Sequence, residues 1–187
     1  TNILFPMRVF IAIEICNLGI LKKIQIFQDE LKINAKPIRI DQIHFTLKFL
    51  GEIGEEKCEQ VKNALKKLEF RQFELSLQGV GAFPNFKNPR IIWIGCDKQG
   101  AEKLSNIAKE IGNNLVSLGF EKDKKFKPHL TVFRVKNKID DISLPMKEFI
   151  GSEFGTQGIS KIKLKRSILS PKGPEYSDLL EVNGNEK

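Results

Sequence analysis

From Gln42 to Phe49 apolar and polar residues alternate without a break: Ile43, Phe45, Leu47 and Phe49 on one side, Gln42, His44, Thr46 and Lys48 on the other. Side chains on a strand point to opposite faces in turn, so this period of two predicts a strand with one face against a core. Arg8 to Glu14 and Pro128 to Val135 read as strands too, as do Phe73 to Gly79 and Arg90 to Cys96, which flank the turn-rich segment Gly81 to Pro89. Apolar spacing near the helical period marks Leu18 to Leu31, Glu55 to Leu68 and Ala101 to Leu118 as helices. Acidic residues open the second, where they suit the helix dipole. A short helix within Ile139 to Ile150 and closing strands at Ile159 to Leu169 and Tyr176 to Val182 complete an order that passes through a similar motif twice.

Length and composition narrow this picture. The 187 residues suffice for a single domain, or two small lobes sharing a cleft, with a working core. Met7 reads as the natural start, with residues 1–6 as an upstream extension. Cys16, Cys58 and Cys96 are scattered and odd in number, which argues against a disulfide framework and for a reducing cytoplasm. No apolar stretch approaches the roughly 20 residues that cross a bilayer, and the N-terminus lacks the pattern of a signal peptide. A net charge of +8 favours encounter with polyanions, nucleic acid first among them, although a generic basic surface has the same total.

The chemistry is carried by the only two histidines. His44 and His129 stand 85 residues apart, each two positions before a threonine, Thr46 and Thr131, in a chain with four threonines. The strand period aims imidazole and hydroxyl to the same face, while Phe45, Leu47, Leu130 and Val132 turn inward. Two such strands facing one cleft would put two imidazoles on opposite sides of a phosphate and two hydroxyls on its non-bridging oxygens. An ordinary pKa of roughly 6.5 lets one ring be neutral and the other charged near neutral pH, as paired base and acid. Two histidines without Cys, Asp or Glu at ligand spacing do not fill a closed zinc site, so no metal is expected.

These residues resemble the 2H phosphoesterase superfamily, in particular its LigT-like branch of RNA 2′,3′-cyclic phosphodiesterases, also called 2′-5′ RNA ligases. The likeness spans nearly the whole chain: MRVFIAI from Met7, HFTLKFLG from His44, GAFPN from Gly81, PRIIWIG from Pro89, PHLTVFR from Pro128 and SILSPKGPEY from Ser167. By resemblance His44 is the proton donor and His129 the proton acceptor, with Thr46 and Thr131 as phosphate-binding hydroxyls. The resemblance implies an α+β fold of two α/β lobes related by a pseudo-two-fold axis, with antiparallel sheets lining a central cleft. It also implies hydrolysis of cyclic phosphate ends of RNA, or of cyclic nucleotides, to 2′-phosphates, with 2′-5′ joining in reverse. Neither metal nor nucleotide cofactor is implied, and no phosphate-binding G-x-x-x-x-G-K-[ST] loop occurs. A monomer is expected.

Arg134 matches an arginine that follows the second motif in relatives, and its charge suits a phosphate. Its parity is opposite to that of His129, so a bulge or the strand end must turn it to the cleft. Lys48 shares the face of His44 and either steers phosphate or is simply solvated. Phe10 and Tyr176 read as base-stacking candidates, with core packing the alternative for Phe10, and Trp93 reads as core. Two competing functions stay open: a non-catalytic RNA-binding module, and the same chemistry on another cyclic phosphate or a 2′-5′ oligonucleotide.

Overall fold

The computed structural model describes residues 6–122, 125–171 and 173–186. The proposed extension ahead of Met7 falls almost wholly outside them. The elements run β1 (Met7–Glu14), α1 (Leu18–Glu30), β2 (Lys36–Pro37), β3 (His44–Ile53), α2 (Glu55–Leu65), β4 (Phe73–Phe83), β5 (Ile91–Cys96) and α3 (Lys98–Val116). After these come β6 (Leu130–Arg134), α4 (Ser143–Met146), β7 (Glu153–Ile159), β8 (Lys161–Ser170) and β9 (Gly173–Asn183).

Capping accounts for the helix starts. The Asn17 side chain accepts a hydrogen bond from the Ile20 amide, and that of Asp97 one from Gly100, each satisfying a first-turn amide that has no partner within the helix. Asp97 thereby starts α3 three residues earlier than its apolar periodicity alone suggests. Helix α4 is a single turn followed by a 3-10 turn at Lys147–Phe149, less than the expected Ile139 to Ile150 segment allowed. Strand β7 was not expected, because Gly155 and Gly158 interrupt its apolar pattern and the one inward polar residue is Gln157.

The strands form one antiparallel sheet in the order β7-β4-β5-β6-β3-β1-β8-β9, with β2 on β6. Its two four-stranded halves meet where β6 lies beside β3, with Phe45 opposite Leu130. The sheets of the two lobes are therefore continuous. Strands β1 and β3 are neighbours joined through α1, and β5 and β6 are neighbours joined through α3, so each half repeats the other. Helix α1 packs on β7 and β6, and α3 on β3 and β4, which locks each half to the other's helix. The Gln157 side chain closes the curl: its oxygen accepts from the Cys16 and Asn17 amides, and its amide donates to the Glu14 carbonyl.

Phe27 anchors the core beneath α1, with ring centroids of Phe149, Phe154 and Phe133 at 4.9, 5.8 and 6.2 Å. Phe27→Ala removes the ring from the middle of this cluster and is expected to cost about 3–5 kcal/mol of stability. Urea unfolding measures it; a loss below about 1 kcal/mol would mean that the cluster collapses into the space.

Bulges decide which side chains reach the open face. In β3, Thr46 pairs with Ala12 but Lys48 pairs with Ile11, leaving Leu47 as an extra residue. The reading of Lys48 on the face of His44 is thereby corrected: Lys48 is 4% exposed, and its ammonium donates to the Glu121 carbonyl at 2.8 Å. Phe49, expected to face the core, is instead 69% exposed. In β6, Trp93 pairs with Thr131 and Ile92 with Phe133, so Val132 is the extra residue and Arg134 returns to the face of Thr131.

Candidate active site

His44 enters β3 straight from a 3-10 turn at Ile40–Gln42. Its Nδ1 lies 2.7 Å from the Gln42 carbonyl. A carbonyl only accepts, so the proton is on Nδ1, and Nε2 is left facing the Thr46 hydroxyl at 3.0 Å. His129 repeats the arrangement, with Nδ1 donating to the Lys127 carbonyl at 2.6 Å. Each ring is thus oriented by the backbone two residues upstream.

The register brings the motifs together. With Phe45 opposite Leu130, the next residues on the open face set His44 across from Thr131 and His129 across from Thr46. His44 of β3 and His129, just ahead of β6, are thus diagonal neighbours, at backbone positions that such a register sets roughly 7–8 Å apart. Arg134 stands on the same face, exposed, at the His44 end.

Aromatic rings brace both imidazoles. Phe10 and Tyr176 lie 5.1 and 5.6 Å from His44, and Phe83 lies edge-on to His129 at 5.0 Å. Phe10 is buried, so it backs the ring rather than offering an open stacking face. Trp93 is not in the core as expected. It faces the cleft opposite Thr131, with its indole across Gly81, where a Cβ would come within 2.1 Å of the ring. No side chain larger than hydrogen fits at that position.

A cavity of about 370 Å³ opens beside His44, lined by Glu14, Arg39, Gln42, Lys165 and Tyr176 among others. Burial pushes the His44 imidazole below its ordinary pKa, against the Gln42 carbonyl, which favours the charged ring. Lys165 and Arg134 add to the lowering and Glu14 opposes it. Sequence reasoning missed Phe83, Glu14 and Lys165. Phe83 left a trace within GAFPN, and Glu14 as a carboxylate closing the apolar run Val9 to Ile13; Lys165 left none. Among the described residues no group of three or more His, Cys, Asp or Glu side chains is placed to hold a metal ion, and no helix is long and apolar enough to cross a membrane.

Comparison with known proteins agrees with this architecture. The family model described as LigT like Phosphoesterase matches residues 19–93 and again 94–176, dividing the chain within β5 and leaving one histidine motif in each part. A protein of Archaeoglobus fulgidus named RNA 2′,3′-cyclic phosphodiesterase is 39% identical over 175 residues, covering 92% of this chain and 98% of its own. Among solved structures, TT0787 of Thermus thermophilus matches with a TM-score of 0.77 at 28% identity, over 95% of this chain and 97% of its own. The apo form of E. coli LigT matches with a TM-score of 0.80 at 22% identity, over 96% and 98%, a likeness of fold. With matches that take in both histidine motifs and most of the chain, the protein belongs to the LigT-like phosphoesterase family.

Proposed function

We propose that this protein hydrolyses 2′,3′-cyclic phosphate ends of RNA to 2′-phosphates through a two-histidine mechanism that needs no metal. The observation that carries the reading is the β3–β6 register, which supports a site shared by two backbone-oriented imidazoles and the two threonine hydroxyls that accompany them. The name of the Archaeoglobus relative supports the substrate class.

In this scheme His129 Nε2 takes a proton from water, whose oxygen attacks phosphorus in line with the bond to the ribose 3′ oxygen. As that bond breaks, His44 Nε2 gives its proton to the departing oxygen, leaving the phosphate on the 2′ oxygen. Thr46 and Thr131 donate hydrogen bonds to the non-bridging oxygens, and the Arg134 guanidinium balances their charge. With an RNA 5′-hydroxyl in place of water the same geometry forms a 2′-5′ linkage. All these groups come from one chain, so a monomer is a complete enzyme, and three unpaired thiols suit the reducing cytoplasm in which we place it.

The test is turnover by the purified protein in EDTA of 2′,3′-cyclic mononucleotides, cyclic-ended RNA and 2′-5′ dinucleotides. A 2′-phosphate product is expected. A 3′-phosphate product, or loss of activity in EDTA, would overturn the scheme.

A further inference from the structure

Glu14 ends β1 directly opposite His44 and lines the same cavity. Both of its carboxylate oxygens are held, one by the Lys163 ammonium at 2.6 Å and the other by Lys165. The same two ammonium groups grip Asp178 of β9, at 2.7 and 2.5 Å. Two cations and two anions make a neutral square against the wall of the cleft. The Lys165 side chain is only 7% exposed, a depth at which a charge is stable only while its carboxylates remain.

We infer that Glu14, clamped by Lys163 and Lys165, is a positioning residue that favours the protonated form of His44 when substrate arrives. The inference rests on His44 being the proton donor of the proposed reaction. Other charged or titratable groups approach His44 from each neighbouring element. Arg39 and Asp41 of the 3-10 turn pair with each other. Arg134 of β6 and Lys165 of β8 disfavour a charged imidazole. Strand β9 adds Tyr176, Asp178 and Glu175, of which Tyr176 and Glu175 line the cavity. Glu14 is the carboxylate that acts on His44 in the favourable sense. Neutralising it leaves the square with an excess positive charge beside the ring, whereas removing Lys165 leaves an excess negative one.

The effects on His44 must therefore have opposite signs, which a purely structural role for the square does not produce. The experiment is NMR titration of the imidazole protons in Glu14→Gln and Lys165→Met. With only two histidines in the chain, a His129→Ala background leaves the His44 signals alone in the spectrum. Glu14→Gln is expected to lower the His44 pKa by roughly half a unit to one unit, and Lys165→Met to raise it by a similar amount. Should Lys165→Met fail to fold, Lys163→Met removes the same charge from a more exposed corner. Shifts of the same sign, or none in either variant, would overturn the inference. Opposite shifts in a protein that, with both histidines in place, turns over no cyclic phosphate would leave the hold of Glu14 on His44 standing and overturn its part in catalysis together with the proposed function.

Discussion

Replacing either histidine by alanine is expected to lower kcat on a 2′,3′-cyclic nucleotide by roughly 10²- to 10⁴-fold, the span that one well-placed acid or base supplies. The two rings act on opposite sides of one phosphorus atom within a single step. The double variant His44→Ala/His129→Ala should consequently fall little below the worse single variant, because residues that work as a unit lose their effect together. The fold should survive. His129 is half-buried and makes one hydrogen bond to the Lys127 carbonyl, and His44 makes its own to Gln42, each worth about 1 kcal/mol net. Steady-state kinetics beside thermal melts separate the two effects. Full turnover by either alanine variant, with the melt unchanged, would end the acid and base assignment.

The second large effect lies in the pH dependence. Reaction needs one ring neutral and the other charged, so a bell-shaped profile is expected, its limbs belonging to the pair jointly. Burial holds His44 below its ordinary pKa in the free protein, so its imidazole is mostly neutral at pH 7 and lacks the proton it must give. A bound phosphate brings negative charge to Nε2 and favours the imidazolium, which raises the pKa. The sign follows directly. The alkaline limb, where the donor proton is lost, should fall at lower pH in kcat/KM, which reports the free enzyme, than in kcat, which reports the complex. Profiles taken from pH 5 to 9 test this. Coincident alkaline limbs, or the reverse order, would assign the donor role to a group other than His44.

Much of this site was legible along the chain. The alternation through His44 and Thr46, repeated at His129 and Thr131, depends only on the two-residue period of a strand. The structure keeps each pair on one face. The reading failed first at Lys48 and Phe49, directly after correct assignments at Phe45 and Leu47, because the bulge at Leu47 reverses the parity of these two positions. The same device rescued Arg134, for which strict alternation gave the wrong face and the bulge at Val132 supplies the turn. Trp93 was misplaced for another reason. An indole flanked by isoleucines looks like core until Gly81 on the next strand is seen to leave room for it on the open side.

What the chain determines by itself is local: strand and helix periods, the capping side chains at Asn17 and Asp97, and the pairing of each imidazole with a hydroxyl two residues on. These follow from backbone geometry that any stretch of strand or helix shares. Tertiary structure alone decided that β3 lies against β6, where the bulges fall, and that Glu14, Lys163, Lys165 and Asp178 gather beside His44. Such features depend on which strands become neighbours and in what register. That choice is made by burial summed over the whole sheet, and no single segment of the sequence carries it.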